Sequence, residues 1–290
     1  MSAEQAVRAG APVAAVRRGR TGRVRPGVLA AAVLLGLILL AALAPGLLAH
    51  GSPADTDPVH ALQAPGAAHW FGTDQLGRDV FARVVHGTRY SLAIGAAATG
   101  AGVGLAVVWG LGAALSGRFG DAVLMRAADA LLALPGLLLA LMVVLIAGKG
   151  VPGTTVAVAV GTAPGFARVV RAQARVVRRS GYVESAVALG VPRPLIVLRH
   201  VLPNTLGPLL VLATVTLGAS ISTGAALSYL GLGAQPPTPE WGAMLTEGQG
   251  FLDQAWWIAL FPGLLLVSTV LAVTVVGRHV QARAEGRAAS

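Results

Sequence analysis

Six runs of the chain contain no Asp, Glu, Lys or Arg: residues 28–49, 90–117, 130–148, 150–167, 200–239 and 254–277. Each supplies about 18 or more residues in a row, the length at which a helix rising roughly 1.5 Å per residue crosses a hydrocarbon core about 30 Å thick. The composition that allows this is 55% hydrophobic and 12% charged over 290 residues, whereas an ordinary soluble domain is about 25% charged. A secreted disulfide scaffold, a disordered tail and a large water-soluble enzyme are excluded together. Cysteine is absent, so neither disulfides nor thiolate metal sites are available.

The basic residues sort by side. With six alternating spans and the amino terminus in the cytoplasm, the cytoplasmic segments hold Arg8, Arg17, Arg18, Arg20, Arg23, Arg25, Arg118, Arg126, Arg168, Arg171, Arg175, Arg178, Arg179, Arg193, Arg199, Arg278, Arg283 and Arg287. That is 18 of the 22 Lys and Arg residues, and Arg78, Arg83, Arg89 and Lys149 stay outside. Cytoplasmic enrichment is the positive-inside rule for an even number of spans. The formal net charge of +10 therefore reports topology, with anionic lipid as its surface partner, and no nucleic-acid partner is expected. Ala42-Leu43-Ala44 resembles a signal-peptidase site, but the uncharged run before it exceeds a signal core, so it is expected to remain as an uncleaved anchor.

These signals describe an all-α, polytopic membrane protein with six transmembrane helices and both termini cytoplasmic. A basic cytoplasmic tail over 1–27, expected to be disordered, leads to a first transmembrane helix over 28–49 that ends at Pro45-Gly46. An external loop covers 50–88, a core of five further transmembrane helices covers 89–280, and a cytoplasmic tail covers 281–290. Within the external loop, Gly72-Thr73-Asp74-Gln75-Leu76-Gly77-Arg78-Asp79 reads as a compact turn. Asp79 is placed to cap a short amphipathic helix at the outer interface, with Val80, Phe81, Val84, Val85 and Thr88 on its apolar face and Arg83 and His86 on another.

The second span, about 90–115, carries Gly95, Gly100, Gly102, Gly104, Gly110 and Gly112, which let neighbouring backbones approach in lipid. Pro135-Gly136 predicts a kink in the third, about 124–147. In the fourth, about 153–178, Arg168, Arg171, Arg175 and Arg178 follow the apolar part on one helical stripe, at the cytoplasmic headgroups. Because they follow the apolar stretch instead of interrupting it, they do not read as a voltage sensor. The fifth and sixth spans fall at about 204–230 and 255–277, and Trp241, Trp256 and Trp257 are expected as interface anchors.

Proton- or sodium-driven carriers usually need ionisable or broken-helix sites near the midplane. The six runs hold no Asp, Glu, Lys or Arg, and their histidines lie near run ends. A P-loop needs Gly-Lys followed by Ser or Thr, and the lone lysine, Lys149, is followed by Gly150. Active transport by this chain must draw on another polypeptide. No acid–base pair or activated nucleophile stands out, so no catalytic residue and no metal site is assigned. His200 has no second ligand at zinc spacing, and His50, His60 and His69 are irregularly spaced.

The cytoplasmic loop 180–203 is the most informative segment. Tyr182, Glu184 and Ala186 lead a short helical stretch, and Gly190 ends it as a left-handed C-cap does. After Pro192 and Pro194, Leu195, Ile196, Leu198 and Val201 supply a second apolar face before Leu202-Pro203. A helix, a glycine corner and a second helix parallel to the membrane would make a rigid protrusion suited to docking.

These residues resemble the permease subunits of ATP-binding-cassette importers. Their signature runs Glu-Ala-Ala, three residues, Gly, nine residues, Ile, one residue, Leu-Pro. Glu184-Ser185-Ala186, Gly190 and Leu202-Pro203 keep that spacing, with Ser185 in place of Ala and His200 at the Ile position. Arg199-His200-Val201-Leu202-Pro203-Asn204 resembles the variant of the dipeptide, oligopeptide and nickel group. Phe71 to Asp79 and Leu230 to Gly242 resemble hallmarks of its C-type permease. The resemblance spans about residues 28–280.

It implies a type I importer permease in the bacterial inner membrane, non-catalytic and without a cofactor of its own. ATP and Mg would sit on two partner ATPase subunits, a second homologous permease would complete the path, and an extracytoplasmic solute-binding protein would deliver peptide. Tyr182, Glu184, Ser185, Ala186, Gly190, His200, Leu202 and Pro203 would form the ATPase-coupling loop, with Glu184 accepting hydrogen bonds or pairing with a basic group. Gly72, Thr73, Asp74, Gly77, Arg78 and Asp79 are expected to hold a loop, with packing against a partner protein and direct contact with substrate as the alternatives. A nickel or metal-chelate importer is the alternative within the class, and an ATP-independent channel is the alternative outside it.

Overall fold

The computed structural model describes residues 26–288; the expected disordered tail over 1–27 lies outside them except for Pro26 and Gly27, which open the first helix. Among the described residues the chain is helical, with one isolated bridge between Thr73 and Asp79. The helices are α1 (Pro26–Leu43), α2 (Val80–Leu115), α3 (Arg118–Leu132), α4 (Gly136–Ala147), α5 (Val151–Arg178), α6 (Gly181–Ala188), α7 (Arg193–Ile196), α8 (Leu202–Tyr229), α9 (Trp241–Gln249), α10 (Leu252–Ala255) and α11 (Trp257–Ala288). By length and composition five helices can cross a membrane, and the bent pair α3 and α4 makes a sixth if it counts as one span.

The bundle is organised on α2, which packs most extensively along α5 and also against α8 and α1. The glycines expected in the second span divide by role. A Cβ on Gly95 would stand 2.3 Å from Ile221 Cγ1 of α8, and one on Gly110 would stand 2.6 Å from the Ala167 carbonyl of α5, so both mark backbone contacts that any side chain would prop apart. Gly100 and Gly104 meet nothing.

Residues 80–88 are not a separate helix at the interface but the first turns of α2, which runs unbroken for 36 residues. At about 54 Å it exceeds the hydrocarbon core, so its first turns project from the bilayer. The charge at Arg89, whose guanidinium lies over the Tyr90 ring, marks the end of the apolar run and not the end of the helix.

The kink expected at Pro135-Gly136 in the third span is a sharp one. α3 and α4 meet at 101°, because Pro135 forces the residue before it out of the helical region. α4, with 12 residues, is about 18 Å long and too short to cross alone. The arginine stripe of α5 makes ion pairs with α3. Asp121 of α3 is 7% exposed and receives Arg171 through both carboxylate oxygens, Nη2 to Oδ2 at 2.6 Å, and Arg175 Nη2 at 2.8 Å. Arg168 pairs with Asp129, and Arg178 donates to the Ala114 carbonyl.

Asp121→Ala is therefore expected to destabilise the purified protein by about 1 to 2 kcal/mol, the worth of charge-assisted bonds from partly exposed arginines to a buried carboxylate. Asp129→Ala, at an exposed pair, is expected to change stability by less than about 1 kcal/mol. Equal losses in thermal unfolding for the two variants would show that α3 is not fastened at Asp121.

The second helix of the cytoplasmic loop is also not a separate rod parallel to the membrane. From Arg193 to Tyr229 the helix is continuous, passing through a wide π-turn at Val197–Val201 in which the Leu202 N–H bonds the Val197 carbonyl. Pro203 explains the widening, since it has no N–H to continue the i to i−4 ladder. Asn204 Nδ2 donates to the His200 carbonyl at 2.7 Å in the same turn.

Candidate functional site

The two motif regions lie at opposite ends of the bundle. At the outer end, the turn Gly72 to Asp79 is held by charge. Asp74 is fully buried and its carboxylate accepts four hydrogen bonds. The backbone N–H groups of Leu76 and Arg78 reach Oδ1 at 2.9 and 3.0 Å, and the Gly77 N–H reaches the main-chain carbonyl at 3.0 Å. Arg78 Nε and Arg83 Nη1 reach Oδ2 at 2.6 and 2.5 Å.

Arg83 projects from the second turn of α2 and is fully buried, contrary to its expected place on a polar helix face. Both arginines continue to Glu247 of α9, Arg78 Nη2 at 2.9 Å and Arg83 Nη1 at 2.7 Å to Oε2, with Arg83 Nη2 at 3.2 Å to Oε1. Two guanidinium groups thus meet two carboxylates with no net charge, the condition under which buried ions are tolerated.

The rest of the turn is fixed by packing. Gly72 has φ +73, and a Cβ there would lie 2.5 Å from the Gln63 carbonyl and 2.6 Å from Trp257 Nε1. Trp257 Nε1 donates to the Thr73 carbonyl at 3.0 Å, and Thr73 Oγ1 donates to the His60 carbonyl. Asp79 caps α2 by accepting the Ala82 N–H at 2.8 Å and meets His69 Nδ1 at 2.7 Å. His60 stands 2.6 Å from Asp57, and that hydrogen bond holds the Asp57 carboxyl below the usual carboxylate range. Among the described residues no three His, Asp or Glu side chains gather as a metal site.

The motif Leu230 to Gly242 brings a second buried acid, Glu240, which caps α9 through the Ala243 N–H at 3.0 Å and accepts Ser91 Oγ of α2 at 2.9 Å. Trp241 is fully buried, with Nε1 donating to the Val84 carbonyl at 3.0 Å. The expectation of three interface anchors is corrected: Trp241 and Trp257 fasten α9 and α11 to the outer loop and α2, and Trp256 alone is about half exposed. Sequence reasoning missed Glu247 and Glu240. Their signal was available, because an acid among apolar residues between two spans needs a buried cation or a helix start.

At the opposite end from the Gly72 to Asp79 turn, Val183 and Ala186 seat α6 on a core that includes Leu111 and Ala114 of α2, Val177 of α5, Ile196 and Val201. Gly190 has φ +76 with open space around it, so conformation and not crowding selects glycine there. Its N–H bonds the Val187 carbonyl at 3.0 Å and the Val191 N–H bonds the Ala186 carbonyl at 3.1 Å, the paired bonds of a Schellman turn.

The opposite face of α6 is open. Glu184 and Ser185 are exposed, Val187 is 59% and Leu189 83% exposed, and Ser185 Oγ donates back to the Gly181 carbonyl. The Tyr182 and His200 rings lie 6.1 Å apart, centre to centre, joining the start of α6 to the π-turn. Beside them a groove of about 750 Å³ runs between Val183, Val187, Arg193 and Leu198. Leu202 is half-buried and Pro203 exposed, at the entry of α8.

Apolar helices fastened at one end by a buried ionic clamp, and carrying a rigidly seated but outwardly open helix at the other, define a multi-pass membrane subunit. Residues 102–286 match the family described as binding-protein-dependent transport system inner membrane component, and the chain belongs to that family.

It is 40% identical over 245 residues to the dipeptide transport system permease protein of Alkalihalophilus pseudofirmus, covering 84% of this chain and 80% of that one. It is 44% identical over 215 residues to the glutathione transport system permease protein of Pectobacterium atrosepticum, covering 74% and 71%. Among solved structures, the inward-facing MetNI methionine ABC transporter matches with a TM-score of 0.56 at 21% identity, over 70% of this chain and 96% of that chain. An amino acid ABC transporter crystallised with histidines matches with a TM-score of 0.52 at 14% identity, over 69% and 94%. The protein is a permease subunit of an ABC importer, a class that works with ATPase and solute-binding partners.

Proposed function

We propose that this permease forms half of the path by which di- or oligopeptides cross a bacterial inner membrane. A second homologous permease supplies the other half, and an extracytoplasmic binding protein delivers the peptide. Two ATPase subunits hold ATP and Mg, and the chain itself is non-catalytic and cofactor-free. The observation that carries the reading is α6, which is open on one face and buried on the other. Val183 and Ala186 rest on residues of α2, α5 and the α8 entry, so displacement of α6 by closing ATPases moves three spans together. Glu184, in the first turn of α6, sits where an acid is favoured by the helix dipole and is free to meet a basic groove. Because α2 is continuous to the outer clamp, this motion rocks the bundle between inward- and outward-facing arrangements.

The test is uptake into vesicles that contain this chain with its partner subunits and binding protein, offered labelled dipeptide, tripeptide or chelated nickel. Peptide uptake that requires ATP is expected. Full-speed uptake without the ATPases would establish a channel, and a binding protein blind to peptide and tight for nickel would replace the substrate.

A further inference from the structure

Two hollows share Phe81 in their walls. One, a groove of about 520 Å³, runs between α1, α2 and α11, walled by Leu34, Ile38, Val85, Phe261 and Leu264. The other, a smaller hollow of about 160 Å³, is bordered by His50, Trp70 and Asp79. Phe81 borders both, and its ring contacts Trp70 and Phe71 at 5.1 Å each, with Phe71 stacked at 3.8 Å on Phe261.

We propose that these hollows form one binding site for a phospholipid of the outer leaflet, with an acyl chain in the groove and an ethanolamine headgroup in the cup. The depth fits. From Phe261 to Ser268 the α11 wall covers about 10 Å, within the roughly 15 Å that one leaflet contributes to the hydrocarbon core. α1 is loosely packed, with Leu37 on the groove 55% exposed, and apolar space facing lipid is filled by hydrocarbon.

The cup supplies the complementary charge. Asp79 accepts one bond at each carboxylate oxygen, from the Ala82 N–H and at His69 Nδ1, and its side chain is 30% exposed. A second lone pair on each oxygen is free to receive an ammonium, and Trp70, 65% exposed at the rim, offers an aromatic face to the same cation. A glycerol headgroup brings no cation to this carboxylate.

The assembled transporter, exchanged into equal phosphatidylethanolamine and phosphatidylglycerol in mild detergent, would be examined by native mass spectrometry. One phosphatidylethanolamine per copy of this chain is expected, favoured over phosphatidylglycerol by about tenfold, the value of one charge-assisted contact. Ser268→Phe, which fills the groove, is expected to abolish retention of both lipids. Asp79→Asn keeps a capping acceptor and is expected to retain lipid while removing the preference. Leu264→Phe, on the exposed rim, serves if Ser268→Phe fails to assemble. The proposal is overturned by no retention, by equal retention of the two lipids in the native chain, or by unchanged retention when the groove is filled. Cross-linking of S268C to a helix of the second permease would also overturn it, since the groove would then hold protein.

Discussion

Arg83→Met is expected to destabilise the permease by about 3 to 5 kcal/mol, the cost of leaving buried carboxylates without their cation. Arg83 is fully buried and serves Asp74 and Glu247 at once. Without it Asp74 keeps Arg78 and two backbone N–H groups, whereas Glu247 keeps only the Arg78 bond at 2.9 Å. The cluster then carries one uncompensated negative charge. Glu247→Leu alone leaves the opposite imbalance and is expected to be destabilising in its turn.

The double variant Arg83→Met with Glu247→Leu restores neutrality, because Asp74 and Arg78 still pair at 2.6 Å. Its loss should fall short of the summed single losses by at least about 2 kcal/mol, the non-additivity expected of residues in one buried ionic network. Thermal unfolding in detergent, followed by the fluorescence of buried Trp241 and Trp257, reads all three variants. Strictly additive losses would mean that the four groups are independent and that the outer loop is held by packing alone.

That network also shows where the sequence could be read and where it could not. The spans were legible because hydrocarbon tolerates no unpaired charge, so charge-free runs report membrane crossings directly. The same signal misplaces helix ends: it stops the second span at Arg89, although α2 begins at Val80, because a helix that leaves the bilayer regains charge without losing its hydrogen bonds. The break at Pro135 was visible, but its 101° angle was not, because a proline marks where a helix ends and not the direction in which the next one packs. The Gly72 to Asp79 turn was recognisable from local chemistry. Its pairing with Glu247 was not: an acid between two spans signals that it needs a partner, but Glu247 stands 169 residues from Arg78 and no spacing rule reaches across a fold. In loop 180–203 the short helix and its end at Gly190 were legible because a left-handed C-cap is set by local geometry. The continuity of α7 into α8 was hidden by Pro203, whose missing N–H predicts a break and is instead absorbed by a π-turn.

Gly190→Val is the substitution expected to separate coupling from folding most sharply. Its φ of +76 disfavours any L-residue by about 1 to 2 kcal/mol, and a β-branched one most. Nothing lies within 4 Å of the position where a Cβ would stand, so the strain has no steric partner and is relieved by unwinding the turn itself. The bonds from Gly190 to Val187 and from Val191 to Ala186 then fail together. α6 loses its fixed angle to the α8 entry, and Glu184 and Tyr182 leave their places on the open face.

Insertion and thermal stability should change by no more than about 2 kcal/mol, the strain of one turn. ATP-driven uptake by the assembled transporter should fall at least about tenfold, because a coupling element must hold one orientation to transmit displacement. Gly190→Asn is the control, since Asn adopts the left-handed region far more readily than Val, and it should keep much of the activity. Full uptake with Val at this position would show that the turn is a passive connection and that the ATPases grip the permease elsewhere.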